Sequence, residues 1–303
     1  MSEPSYMSLM KRGELQERIE KAQRMLRNCE LCPRKCRVNR LSGETGFCKT
    51  GVRARVASFH AHFGEEPPLV GKHGSGTIFF SFCNLLCSFC QNFELSHRSN
   101  GEEVYPDELA GIMIRLQDQG CHNINFVTPT HVVPQILSAI MPAIDAGLNI
   151  PLVYNCGGYE SVRTLHMLEG ITDIYMPDFK FWDDRWAWHC CGVTDYQTTA
   201  RSALMEMHRQ VGDLEVDESG VAVRGLLVRH LVMPNGLAGT EGVVRFISED
   251  ISANTYVNIM DQYRPCGYAV QDAMINRRIT AREWKDALTC ASRAGLKRVE
   301  ALL

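Results

Sequence analysis

The sequence predicts an α/β fold, a parallel sheet with crossover helices, carrying a small cysteine-rich extension at its amino terminus. Three observations lead there. From Thr77 onward, six apolar runs of strand length alternate with stretches of helix length, the pattern of repeated βα units. Near the amino terminus, Cys29, Cys32, Cys36 and Cys48 fall within twenty residues. Cys83, Cys87 and Cys90 directly follow the first strand-like run, at the end of the sheet where parallel α/β folds assemble their chemistry. The expected division is residues 1–75, a helix and four-cysteine metal-binding extension, and residues 76–303, the βα repeats.

At 303 residues the chain suits one barrel-sized domain with an appendage. Its 45% apolar and 22% charged residues are those of an ordinary globular protein, and a net charge of −3 gives no electrostatic footing for nucleic acid or a membrane surface. No run approaches the ~18 apolar residues of a spanning helix, and the first twenty residues lack the apolar core of a secretory signal. Thirteen cysteines in such a chain point to a reducing cytoplasm and to metal binding rather than disulfides.

Between residues 11 and 28, Leu15, Ile19, Ala22 and Leu26 recur at helical spacing among charged residues, which predicts an amphipathic surface helix lying on the main domain. The Cys29-Glu30-Leu31-Cys32 pair with Cys36 and Cys48 then fits a closed tetrathiolate site, stapling a segment too short for its own core. Zinc and an iron–sulfur cluster fit that spacing equally, and unmetallated thiols are the plain alternative. Arg34, Lys35, Arg37 and Arg40 make a solvated basic face beside it. Residues 52–63 read as a strand or hairpin, and Glu65-Glu66-Pro67-Pro68 breaks regular structure as a linker over about residues 64–75. His60, His62 and His73 read as ordinary hydrogen-bonding histidines rather than ligands.

The predicted strands cover residues 77–82, 123–127, 151–155, 174–177, 226–233 and 256–260. The predicted helices cover about 107–119, 133–146, 159–168, 198–210, 242–248 and 281–294. Pro106-Asp107-Glu108 supplies a helix start, proline and acidic residues in the first turn. Periodicity alone fits either a curved partial barrel or an open doubly wound sheet.

Clustered thiolates select zinc, copper(I) or iron–sulfur clusters. A structural zinc normally closes with four protein ligands. Cys83, Cys87 and Cys90 have no fourth cysteine nearby, so they suggest a cubane cluster with one iron left open to a ligand. His97 is a conceivable fourth ligand; a surface histidine is the simpler reading. Polar residues follow the other strands: Thr128 and Thr130, then Asn155-Cys156-Gly157-Gly158, Asp178 and Lys180, Arg229, and Asp261-Gln262-Tyr263-Arg264. Cys156 reads as a small buried residue. Trp182, Trp186 and Trp188 read as packing under a loop, and Cys190-Cys191 has no recognised ligand spacing.

The Cys83–Cys87–Cys90 pattern, with aromatic Phe89 before its last cysteine, resembles the signature of radical S-adenosylmethionine enzymes. Over roughly residues 29–265 the likeness is to the branch related to pyruvate formate-lyase activating enzymes. The resemblance implies a partial (β/α)6 TIM-like barrel and a [4Fe-4S] cluster on the three cysteines. It also implies S-adenosyl-L-methionine on the open iron, cleaved reductively to a 5′-deoxyadenosyl radical that abstracts hydrogen. Phe89 then belongs to the cofactor site. Thr128 and Thr130 stand where the family carries Gly-Gly-Glu, and would accept hydrogen bonds from the cofactor's ammonium. Asp178 and Lys180 match the DxK element that contacts its methionine carboxylate and ribose. Arg229 matches an arginine that faces the carboxylate, with Asn235 in place of the usual glycine after Pro234. Implied partners are an electron donor such as flavodoxin or ferredoxin and a protein or peptide substrate. A radical enzyme acting on a small metabolite is one alternative, and an iron–sulfur electron-transfer protein that cleaves no S-adenosylmethionine is another.

Overall fold

The structure, a computed structural model, describes residues 3–301. The chain opens with α1 (Ser5–Lys11) and α2 (Leu15–Arg24), followed by β1 (Ala54–His62), α3 (Pro67–Val70), β2 (Ser75–Phe80), α4 (Phe93–His97) and β3 (Glu102–Val104). Three helix–strand units come next: α5 (Pro106–Asp118) with β4 (Ile124–Val127), α6 (Val133–Asp145) with β5 (Leu152–Cys156), and α7 (Val162–Leu168) with β6 (Ile174–Pro177). The remainder is α8 (Asp184–Cys191), α9 (Tyr196–Val211), β7 (Glu215–Val216), β8 (Ala222–Leu231), α10 (Thr240–Phe246), β9 (Tyr256–Met260), α11 (Ala281–Arg293) and β10 (Arg298–Ala301).

All six predicted strands of the repeat region are present, within a few residues of their expected ends. The helix starts obey local chemistry. Glu108 accepts from the Tyr105 N–H at 2.7 Å to open α5, and Thr280 and Glu283 form a reciprocal box at the start of α11. The helix expected over residues 11–28 is α2, carried on by a 3-10 turn over Met25–Arg27, and Gly13, at a left-handed φ of 73°, separates it from α1. Seven elements were not foreseen: the helices α1, α3, α4 and α8, and the short strands β3, β7 and β10. Strands of two to four residues carry too little periodicity to read, whereas α8 is marked by Asp183, which caps the Arg185 N–H at 2.8 Å, and by Gly192 at its end.

Strand order across the sheet is β10-β9-β8-β6-β5-β4-β2-β1-β3, with β7 paired to β8 off this path. From β2 to β10 neighbouring strands are parallel, and β1 runs antiparallel between β2 and β3. Along the parallel strands from β2 to β10 the order never reverses, so the right-handed crossover rule puts the connecting helices on one face. That excludes the doubly wound alternative. On a flat sheet β2 and β9 would lie about 24 Å apart, five spacings of ~4.8 Å. Yet one cavity touches Phe79 on β2, Val127 on β4, Asn155 on β5, Arg229 on β8 and Met260 on β9. Glu66, between β1 and β2, accepts from Asn258 on β9 at 3.0 Å. The sheet therefore curves around this face, and β3 and β10 remain its edges.

Two apolar cores follow from that curvature. The larger lies between sheet and helices; the smaller, with Leu69, Val153, Ile174, Met176 and Leu227, fills the concave face. Strands buried on both faces read as continuous apolar runs, which is why they were visible in the sequence. Leu69 belongs to α3, so the stretch expected to be a linker is a plug, with Pro67 in its first turn.

The amino-terminal segment straps the outside of the helices from one end of the sheet to the other. Tyr6 donates to Ile150 O at 3.0 Å and the Ser5 N–H to Asp173 Oδ1 at 2.7 Å, both at the amino-terminal ends of strands. Gln23 on α2 donates to Ser138 on α6, and Thr164 on α7 to Leu31 O. The strap ends at Arg34, which donates to Asn84 O at 2.9 Å, inside the cysteine-triplet loop at the opposite end of the sheet.

Candidate metal centre and cofactor cavity

The carboxyl ends of the parallel strands surround a cavity of about 230 Å³. Cys83, Cys87 and Cys90 line it with Phe89, Thr128, Asp178, Lys180 and Arg229. Sequence positions spread over 147 residues (229 less 83, plus one) thus reach one place, because each follows a strand of the same curved sheet.

The triplet loop leaves β2 in a constrained backbone. Phe82 and Leu86 hold left-handed φ values of 72° and 53° beside Cys83 and Cys87. Such conformations cost ~1–3 kcal/mol each in a non-glycine residue and persist only where surrounding contacts enforce them. Here the Ser88 N–H donates to Cys190 O at 2.8 Å and Ser88 O accepts from the Ala269 N–H at 3.1 Å. Each sulfur has a donor: the Leu85 N–H to Cys83 Sγ at 3.3 Å, the Cys191 thiol to Cys87 Sγ at 3.2 Å, and the Ser96 hydroxyl to Cys90 Sγ at 3.3 Å. Cys87 is held below the ordinary thiol range by the Cys191 thiol, against burial and with help from Lys180. Burial pushes Cys83 up to about 12 and raises Cys90. Phe89 is buried and meets Phe181 edge-on, with ring centroids 5.9 Å apart.

Opposite the thiols lies a buried ionic network. Lys180 Nζ is 2.6 Å from Asp178 Oδ2, and Arg229 Nε donates to Asp178 Oδ1 at 2.8 Å. Arg229 also donates to Asn155 Oδ1 at 2.6 Å and to Glu65 Oε2 at 3.4 Å. Burial alone would raise Asp178, but Arg229 and Lys180 outweigh it and hold the carboxylate below its usual range. Burial likewise opposes the charge on Lys180, and Asp178 overcomes it. Glu66 shifts the other way, raised chiefly by burial. Arg229 is thus largely committed to protein partners, while Lys180, with three donors on its ammonium, is the freer cation facing the cavity.

Thr130 lies elsewhere. Its hydroxyl is buried and donates to Glu160 Oε1 at 2.7 Å, behind the cavity wall, whereas Thr128 lines the cavity with a left-handed φ of 60°. Glu160 also accepts from Tyr154 at 2.9 Å, and burial pushes its carboxyl up to about 7. His97 stacks on Phe93 at 4.0 Å and bonds Leu86 O and Ser96, clear of the cavity lining. Three participants were missed: Glu65, Glu66 and Cys191. The two glutamates had been read only as part of a breaker, and the Cys190-Cys191 pair was the one signal for Cys191.

Cys29, Cys32, Cys36 and Cys48 line a second, much smaller cavity together with Arg34, Phe47 and Asn84. Lys35, Arg37 and Lys49, flanking Cys36 and Cys48, hold left-handed φ values of 43°, 58° and 56°. The Phe47 N–H donates to Cys36 Sγ at 3.4 Å, as Leu85 does to Cys83. Among the described residues, no three His, Cys, Asp or Glu side chains converge as a single metal ion requires. The donor set around the larger cavity, three thiols facing open space, suits a body larger than one ion.

Fold and site together define a class: a curved, mostly parallel β/α sheet with a thiol-lined, ion-paired cavity at its carboxyl edge. No family model matches the chain. It is 35% identical over 289 residues to the uncharacterized protein MJ0674 of Methanocaldococcus jannaschii, spanning 92% of this chain and 78% of that protein. The chain belongs to the same family as MJ0674. Among solved structures, methylornithine synthase (PylB) aligns at a TM-score of 0.44 and 14% identity, over 74% of this chain and 69% of that one; at that level the likeness carries no argument about chemistry. No helix of the described residues is long and apolar enough to cross a membrane.

Proposed function

We propose that this protein is a radical S-adenosylmethionine enzyme. The observation that carries the reading is the meeting of Cys83, Cys87 and Cys90 with the Asp178–Lys180–Arg229 network in one cavity. A [4Fe-4S] cluster on the three thiolates would supply one electron to cleave S-adenosyl-L-methionine and release a 5′-deoxyadenosyl radical. The chain's own part is binding and orientation. Leu85, Ser96 and Cys191 donate to the sulfurs, which favours their charged form. Lys180 presents positive charge to a carboxylate, and Asp178 fixes where that charge sits. Thr128 remains as an acceptor for an ammonium, and Phe89 walls the cavity.

The substrate we favour is a protein or peptide that loses a hydrogen atom, because the Asp178-Phe179-Lys180 element and the Arg229–Pro234 run resemble activating enzymes. A small metabolite is the alternative. The electron donor is a flavodoxin or ferredoxin, and the four amino-terminal cysteines, drawn closer together than they stand, take a second metal, zinc or iron–sulfur. The test is anaerobic reconstitution with iron and sulfide, then S-adenosylmethionine and a strong reductant, reading 5′-deoxyadenosine. Product is expected from the intact chain and not from Cys87→Ala; an iron-loaded protein that makes none overturns the reading. Iron and zinc analysis of a Cys83/Cys87/Cys90→Ala variant identifies the second metal.

A further inference from the structure

Cys191 binds no metal in the proposed chemistry, yet it is the hydrogen-bond donor to a proposed cluster ligand. Its sulfur lies 3.2 Å from Cys87 Sγ, and both residues are buried. Two backbone ties hold them there. The Ser88 N–H, one residue past Cys87, donates to Cys190 O at 2.8 Å, and Arg34 donates to Cys191 O at 2.8 Å while also bonding Asn84 O in the triplet loop. Cys191 sits in the last turn of α8, which Gly192 ends in a left-handed turn. Neither thiol can therefore drift far from the other. A disulfide needs its sulfurs at ~2.05 Å, about 1 Å closer than they stand. Cys87, but not Cys191, lines the open cavity, so a small reagent reaches Cys87 first.

We propose that Cys87 and Cys191 form a dithiol switch: in the cluster-free chain they close to a disulfide that withdraws Cys87 from cluster binding, and reduction restores the site. The inference rests on the reading of Cys87 as a cluster ligand. The oxidant is a low-molecular-weight disulfide. The Cys87 thiolate attacks it and releases one small thiol, leaving a mixed disulfide in the cavity. Cys191 then attacks the Cys87 sulfur and releases the second. Two protein thiols are oxidised, one small disulfide is reduced to two thiols, and the two thiol protons pass to them. With only Cys83 and Cys90 left, the cavity lacks a third thiolate. When the cluster is bound instead, Cys87 is engaged and the same thiol of Cys191 remains its hydrogen-bond donor.

The test uses the full-length, cluster-free protein equilibrated anaerobically in mixtures of oxidised and reduced glutathione, alkylated, and mapped by peptide mass spectrometry. A linked Cys87–Cys191 peptide pair is expected, with iron uptake at the triplet falling at least tenfold as the pair closes and returning on reduction. Iron is counted in a background with Cys29, Cys32, Cys36 and Cys48 blocked or subtracted, and needs no S-adenosylmethionine. Cys191→Ala, which can form only the Cys87–glutathione mixed disulfide, is expected to need a far more oxidising glutathione mixture than the parent before its iron uptake falls. Finding Cys87 linked to Cys83 or Cys90, finding Cys191 free throughout, or finding Cys191→Ala as sensitive as the parent overturns the switch. Should Cys191→Ala misfold, the peptide map of the unaltered chain decides alone. A chain that passes this test yet yields no 5′-deoxyadenosine loses the radical reading and keeps the switch.

Discussion

Glu160 shows how much one residue's surroundings decide. It is buried, with the neutral side chains of Thr130, Tyr154 and Cys156 as hydrogen-bond partners, and its carboxyl is pushed from the ordinary 4.5 up to about 7. A carboxyl raised in the fold holds a proton that the unfolded chain has released. Its contribution is therefore complete below about pH 4.5 and is lost as pH rises through 7. The shift corresponds to roughly 3 kcal/mol at most. Glu160→Gln stays neutral at every pH, so urea unfolding should show the variant gaining on the parent by up to that amount between pH 5 and pH 8. A stability difference that stays flat across that range would show Glu160 to be an ordinary carboxylate. None of this was legible in the sequence, where Glu160 is one glutamate after a glycine pair. The thiol triplet was legible, because ligand spacing within one loop is local. Cys191 was not, since its role depends on where α8 ends relative to a loop a hundred residues earlier.

At the scale of elements, the turn after β5 is the tightest joint beside the cavity. Gly158 holds a φ of 76°, and a Cβ there would collide with the carbonyl oxygen of Asp178 as that chain leaves β6. Glycine is needed for both reasons. Gly158→Ala should lower stability by about 3 kcal/mol or more, combining left-handed strain of ~1–3 kcal/mol with the displaced strand end. It should also loosen the Asp178–Lys180 pair. Chemical denaturation measures the first, and weakened binding of S-adenosylmethionine to the reconstituted protein reports the second. A substitution costing under 1 kcal/mol would show that the turn relaxes freely. In the sequence the Gly157-Gly158 pair is only part of a segment that follows a strand; the structure shows a turn at Gly158, with Gly157 at the cavity.

The whole molecule depends on its amino-terminal strap. Tyr6, Leu9 and Leu15 are all buried, laid over α6 and the ends of β5 and β6. Burial of side chains of this size stabilises by ~1.5–3 kcal/mol each before the entropy of ordering them is subtracted. Deleting residues 1–24 should therefore lower the thermal midpoint by on the order of 10 °C and expose the apolar face of α6. An unchanged midpoint in a calorimetric scan would mean that the strap is only a tether for its cysteines.

What the sequence determined by itself was periodic or local. The parallel strands were legible because sheets covered on both faces are written as uninterrupted apolar runs. The two cysteine groups were legible because each lies within a short stretch of chain, where spacing is local. Only the tertiary structure decided what depends on curvature. Bending the sheet brought Glu65 and Glu66 to Arg229, turned a supposed linker into a plug, and sent Thr130 behind the wall while Thr128 stayed on it. It also set Cys191 against Cys87. Contacts between distant segments leave no period in the chain, because each side chain satisfies its own local element and meets its partner only when the sheet has closed around it.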